Sequence, residues 1–488
     1  MASAPLKAPA HGLFDKLAYG FGSIAFGVKD NGFSILLMLF YNQALGLSAS
    51  SVGFAIMVAL LVDAICDPLI GNWTDSFRSR LGRRHPFMYA AALPVSVSYF
   101  FLWHPPGGMS HPETFIYLIT MSIFIRICIS FYEIPSSALV VDLSRDYDER
   151  TSFLSYRYFF GWVGGLTMGI AAFSIFLRPS ASDPSGQLNL AGYANYGLTA
   201  SLIMFSAIVI SSLGTQRHVA SFAPPPEKRP FIFARSAREA WQTLANKPFG
   251  ILALATFFSL AAIGIGGASL TYFRIYFWEL SGDQISFLMV GNFASIGVAL
   301  FFAPKFARRF GKKLAAITLG LMATFLSPAM YLGRLLDVVP ANHTPQLYWM
   351  LFSLSFIDTI LGMSSGIIGS SMLADVVEHA AARTGRHAAG LLFSANAFLL
   401  KAMSGIGVFG AGLILSFVRF PAGAKQGAVS QTVLHNFAWT TGGILLVLSL
   451  ISVAFVSRFP ITRAAHQENL RRLDELEIAS ALPAVAVI

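Results

Sequence analysis

Apolar runs recur along almost the whole chain, each about as long as the ~20 residues a helix needs to cross a bilayer. No other feature limits the possible folds so severely. They predict twelve spans, at 16–43, 51–73, 87–104, 113–140, 155–177, 194–214, 247–279, 285–304, 313–333, 346–382, 387–418 and 433–457. The run at 346–382 is long enough to tilt, or to continue past the membrane. Only 12% of residues are charged and 55% are hydrophobic, where a soluble domain carries about a quarter charged. Ten-residue strands of alternating polarity, the pattern of outer-membrane barrels, are absent. The expected fold class is therefore an all-α membrane protein, twelve transmembrane helices in two six-helix bundles.

Charge sets the expected orientation. Arg78, Arg80, Arg83 and Arg84 follow the second span, and Arg217, Lys228, Arg229, Arg235, Arg238 and Lys247 lie in the central loop. The alternate loops hold only Arg178, Arg334, Arg419 and Lys425. Basic loops stay in the cytoplasm, so both termini are expected there, in what is read as a bacterial inner membrane. The net charge of +10 is then a topology signal, and no nucleic-acid partner is expected. The first residues, "MASAPLKAPAHGLFDKLAYG", lack the apolar core of a cleavable signal, so the first span is expected to stay in place. Cys66 and Cys128 both fall within spans, which argues against a disulfide framework.

Between 216 and 248 the chain turns polar, proline-bearing ("APPPEKRP") and basic. This divides it into an amino-terminal bundle at 1–215, a linker at 216–248, a carboxy-terminal bundle at 249–458 and a tail at 459–488. "FIFARSAREAWQTLANKP" in the linker reads as an interfacial amphipathic helix or a solvated one. The two halves echo each other. "RSRLGRRHP" follows the second span and "ARRFGKKLA" the eighth, with Phe40 and Tyr41 upstream of one and Phe277 and Trp278 upstream of the other.

Acids stand inside the apolar runs. A charged side chain at mid-bilayer costs at least about 2.5–3.5 kcal/mol, so such groups usually face a cavity and act there. Asp63 and Asp67, four apart in "LLVDAICDPLIG", share one helix face. Two adjacent carboxylates repel unless a cation lies between them or one keeps its proton. That suits a cation site better than two arginine-paired packing acids, because that span holds no arginine. Lys29 and Asp30 stand in the first span. In the fourth, Arg126, Ser130 and Glu133 share a face, and Arg126 can serve as an anion clamp or as an internal partner of Glu133. Lys401 in the eleventh span needs a carboxylate, with Asp63 or Asp67 the candidates. Asp358 and Asp375 lie in the tenth, Asp375 near its cytoplasmic end, where gating or structure is expected of it.

Weak six-helix repeats mark the major facilitator fold. The loop "GNWTDSFRSRLGRR" resembles that superfamily's signature, with Asp75, Arg80, Arg83 and Arg84 as a gating latch. "KLAYGFGSIAFGVKD", "DAICDPLIG", "YEIPSSAL", "DYDERTSFLSYR" and "FSANAFLLK" resemble the melibiose-permease branch, the glycoside–pentoside–hexuronide:cation symporters. The resemblance implies that Asp63 and Asp67 bind the coupling cation, with Ser130 as a hydroxyl ligand. It also implies that Asp30, Glu133, Arg157 and Asn396 contact sugar, and that Lys401 stands beside the cation site. Cys66 occupies the position of an asparagine ligand, Ser137 that of a sugar-stacking tryptophan, and Glu133 that of an aspartate. These departures leave galactoside specificity unsupported.

The function these features predict is cation-coupled symport of a sugar or glycoside, anionic if Arg126 clamps an anion. The coupling ion is a proton or sodium (Asp63 and Asp67 being the metal ligands if sodium), with the proton favoured because a thiol at Cys66 is a poor ligand for a hard cation. The alternative is symport of a lysolipid or other amphipathic solute. A channel or sensor is unmarked, and an intramembrane enzyme would need a motif such as HExxH, which is missing. A monomer in the lipid bilayer, without a cofactor, is expected.

Overall fold

The computed structural model describes residues 12–144, 146–180, 183, 185–219, 247–384, 389–461, 465, 467–469 and 471–472. Among these residues twelve long helices follow in order: α1 (Leu13–Ala44), α2 (Ala49–Ser76), α3 (His85–Leu102), α4 (His111–Leu143), α5 (Glu149–Phe176) and α6 (Leu190–Gln216). Then come α7 (Lys247–Phe277), α8 (Gly282–Phe310), α9 (Lys312–Leu335), α10 (Pro345–Thr384), α11 (Ala389–Phe417) and α12 (Gln431–Ser457). Each predicted span has its helix, and α10, at 40 residues, outruns a membrane as expected. Among the described residues, eleven helices are long and apolar enough to cross a bilayer; the shorter α3, 18 residues with Pro86 and Pro94, occupies the remaining span. The amphipathic segment predicted in the linker lies mostly outside the described residues.

Helix starts follow local chemistry. Ser48, Asp146, Asn189 and Ser430 each accept a backbone N–H three residues on, filling one of the donors that a helix amino terminus leaves without a partner. Large apolar side chains such as Phe301, Trp349 and Phe417 stay more than half exposed, the surface a lipid solvent requires.

The chain divides by packing into two compact units. One comprises Met1–Phe231 with Leu270–Met289 and Arg419–Val429; the other comprises Ile232–Ser269, Val290–Val418 and Ser430–Ile488. In the first, α1 packs on α5, α2 on α4, and α3 on both α4 and α6. In the second, α9 packs on α10 and α12, repeating the α3 pairings. Close approach rests on glycine. A Cβ at Gly27 of α1 would strike the Gly161 carbonyl oxygen of α5, and one at Gly264 of α7 would lie 2.8 Å from the Gly407 Cα of α11.

The repeat also appears in backbone detail. α1 ends in a wide π-helical turn at Phe40–Ala44 and α7 in another at Phe273–Phe277. Leu45 N–H donates to Phe40 O and Leu47 N–H to Tyr41 O; Trp278 donates to Phe273 and Leu280 to Arg274 in the same pattern. The equivalent of Phe40 is therefore Phe273. In the two basic loops Gly82 (φ +77°) and Gly311 (φ +79°) both take a positive φ, which glycine permits at no steric cost.

Candidate functional site

Asp63 lies near the middle of α2, on a buried stripe that runs through Val52, Ala55, Ile56 and Ala59. Small residues there let α4 approach closely, and α4 answers with Leu118, Ser122, Ile125, Arg126, Ile129 and Ser130. The acid, the arginine and the serine therefore sit inside a helix–helix seam. Pro68 and Pro135 lie within α2 and α4 just beyond the site, and each withholds an N–H from the carbonyl one turn earlier.

The seam brings most of the expected residues together. Arg126 Nη1 donates to Asp63 Oδ2 at 3.2 Å, with the two residues 5% and 2% exposed. Ser130 Oγ stands 2.8 Å from Asp63 Oδ1, 2.8 Å from Asp67 Oδ1 and 3.0 Å from the Arg126 carbonyl. Asp67 and Cys66 are half-buried. From α1, Lys29 Nζ lies 2.8 Å from Asp30 and 3.8 Å from Glu133. Asp30 also approaches Arg126 at 3.9 Å, and the guanidinium sits 4.8 Å from the centroid of the Phe33 ring. Lys29 is almost wholly buried, whereas Asp30 is exposed. On α5, Arg157 donates to Ser136 Oγ at 2.9 Å and to the Glu133 carbonyl at 3.4 Å, and it stacks over Phe26.

Two expectations change here. The aspartates were set apart from arginine because α2 carries none, yet Arg126 reaches Asp63 from α4. Arg126 was also weighed as a partner of Glu133, but its ion pairs run to Asp63 and Asp30. Both follow from helix packing, which couples residues 63 positions apart. Asn396 and Lys401 are on α11, in the second unit.

The basic loop is engaged within the first unit. Arg83 and Arg84 both pair with Asp142 at the end of α4, Arg84 at 2.9 Å, and Asp75 lies 3.5 Å from Arg84. Arg80 is exposed. The sequence reading did not single out Asp142, although an acid beside the end of a span opposite four arginines was a visible signal. In the second unit Lys312 pairs with Asp375, and Ser327 donates to Asp358 at 2.8 Å. At the other end of the first unit, Tyr272 donates to Asn42 Oδ1 at 2.8 Å and Ala424 N–H to Gln43 Oε1 at 2.9 Å. Nothing in the sequence separated Asn42 and Gln43 from ordinary residues at a helix end. Among the described residues no three His, Cys, Asp or Glu side chains gather as a metal centre would need.

Repeated six-helix packing, glycine-mediated crossings and a buried polar seam in mid-helix define a secondary transporter of the major facilitator fold. The chain belongs to the MFS/sugar transport protein family, whose model matches residues 18–463, the family of melibiose-permease-like sugar–cation symporters. It is similar to a putative glycoside/cation symporter, YagG, of Escherichia coli, 24% identical over 84% of each chain. It is also similar to the isoprimeverose transporter of Lactiplantibacillus pentosus, 24% identical over 87% of this chain and 85% of that one. The solved xylose transporter XylE from E. coli superposes with a TM-score of 0.60 over 92% of this chain and 99% of that one; at 14% identity this speaks for the fold alone. The protein is an integral membrane transporter, not an enzyme, and its family couples a small solute to a cation.

Proposed function

We propose that the chain imports a sugar or glycoside together with a cation by alternating access. The observation that carries this is the carboxylate pair Asp63 and Asp67, joined by Ser130 in the middle of α2 and α4, with Lys29, Asp30, Glu133 and Arg157 around it. Carboxylates in such a seam need positive charge, and a cation arriving there changes the field in which a polar solute binds. Asp63, Asp67 and Ser130 hold the coupling ion. Asp30, Glu133 and Arg157 present acceptors and donors to sugar hydroxyls. Arg83, Arg84 and Asp75, with Asp375 in the other half, tie the cytoplasmic helix ends and act in gating.

The names of the relatives support the substrate class. The basic loops favour a bacterial inner membrane with both termini in the cytoplasm. Right-side-out vesicles containing the protein, given radiolabelled hexosides and pentosides with and without an imposed ion gradient, test the reading. Accumulation above the external concentration, collapsing with the gradient, is the expected result. Equilibration without concentration, or no uptake of any glycoside, overturns it.

A further inference from the structure

We propose that Arg126 couples the cation site to the solute site: a cation arriving at Asp63 and Asp67 releases the guanidinium from Asp63, and it moves to Asp30, setting that acid to receive the solute. This rests on the reading that Asp63 and Asp67 hold the coupling ion and that Asp30 contacts sugar. Arg126 stands between one acid of each kind. Its Nη1 lies 3.2 Å from Asp63 Oδ2 and 3.9 Å from Asp30 Oδ1. The first contact is a hydrogen bond, and a shift of roughly 1 Å would bring the second to the same length. The two acids differ in surroundings, since the Asp63 side chain is 2% exposed and that of Asp30 is 53% exposed. One nitrogen therefore reaches both a carboxylate sealed in the α2–α4 seam and one open to a solute.

The guanidinium is not locked where it stands. Arginine holds a carboxylate most strongly as a two-pronged fork, but a single hydrogen bond joins Arg126 to Asp63, and the buried Nε has no acceptor. The Phe33 ring, carried by a wide π-helical turn of α1 at Gly32–Leu36, lies 4.8 Å from the guanidinium. A ring face attracts the charge without engaging its donors, so it supports the cation beside either acid. A cation among Asp63, Asp67 and Ser130 would meet the guanidinium a few ångströms away, where like charges repel strongly out of water. Arginine keeps its charge in a protein, so it answers by moving, and Asp30 is already within its reach. Asp63 has other interactions besides these, and the arriving cation takes the place of the released one. At Asp30 the guanidinium joins Lys29, whose Nζ is 2.8 Å from the same oxygen, Oδ1. Two cations on Oδ1 fix the carboxylate and leave Oδ2 to accept sugar hydroxyls. Lys29, 3.8 Å from Glu133, is at the same time drawn toward that second acid. Cation binding thereby raises solute affinity, and by linkage the solute raises cation affinity.

Equilibrium exchange across proteoliposomes holding the full-length protein tests the idea, with a radiolabelled hexoside or pentoside that wild type accumulates. Exchange is measured with sodium chloride varied at fixed pH, and again with pH lowered in the absence of sodium. In the arm to which wild type responds, its KM should fall about tenfold as the cation saturates, an ordinary size for coupling between two sites. Arg126→Gln should accumulate nothing and should exchange with a KM that stays at the cation-free value throughout. A merely structural arginine would set the amount of working carrier, so its loss would lower the maximal rate and leave the KM response intact. That result overturns the proposal, as does a wild-type KM indifferent to both cations. If Arg126→Gln does not fold, Asp30→Asn decides. A KM that is raised and flat supports the shared guanidinium, whereas one that is raised but still falls tenfold with the cation overturns it. Failure of the transport reading is distinct: wild type then accumulates no glycoside at all, and the coupling falls with it.

Discussion

Asp63 and Asp67 stand one turn apart on the same helix, but only Asp63 shares a buried ion pair with Arg126. This makes the two acids unequal in a measurable way. Removing one partner of a buried pair leaves an uncompensated charge and costs about 3–5 kcal/mol. Asp63→Asn should therefore lower the thermal unfolding temperature in detergent sharply, and Asp63→Asn with Arg126→Gln should recover most of the loss. Asp67→Asn keeps the shape of the acid without its charge and should abolish gradient-driven accumulation in uptake assays. A double variant that melts no higher than Asp63→Asn would show that the Arg126 pair carries no such weight. Glu133 and Asp30 act at the same scale. Charged hydrogen bonds to a ligand are worth about 1.5–3 kcal/mol, so Glu133→Gln and Asp30→Asn should each raise the KM for a transported glycoside about tenfold to a hundredfold. Unchanged KM values in uptake assays would remove these acids from the sugar site.

At the scale of helices, glycine carries the architecture. In lipid there is no hydrophobic gain from bringing helices together, so crossings depend on close backbone contact at small residues. The α1–α5 crossing uses Gly27 against Gly161, and a Cβ at Gly165 would fall 2.8 Å from the Gly27 carbonyl oxygen. The α7–α11 crossing uses Gly264 against Gly407, a repeat of the same device in the other half. Gly27→Val and Gly264→Val should each abolish the monodisperse peak of purified protein on gel filtration. Gly267→Val, on the same helix as Gly264 but with nothing within 4 Å of the added Cβ, should leave that peak intact. Normal behaviour of Gly264→Val would mean that the crossing tolerates separation.

For the molecule as a whole, the distribution of lysine and arginine predicts that a tag at either terminus reacts with a membrane-impermeant reagent only after the inner membrane is breached. Labelling in intact spheroplasts would reverse the proposed orientation. The sequence by itself determined the membrane class, the twelve helices and the six-and-six repeat, because runs of apolar residues and the hand of the basic loops are local properties. It also marked Asp63, Asp67, Ser130 and Glu133, since a charge or a shared helix face in an apolar run is visible from spacing alone. The residue register of the repeat, Phe40 with Phe273, lies in backbone hydrogen bonds and not in matching aromatic pairs. What only the tertiary structure decided was partnership: Arg126 with Asp63 rather than Glu133, Arg83 and Arg84 with Asp142, and one serine hydroxyl between two acids. Those pairs join residues some sixty positions apart, and periodicity within a helix says which face a side chain occupies but not which helix lies against it.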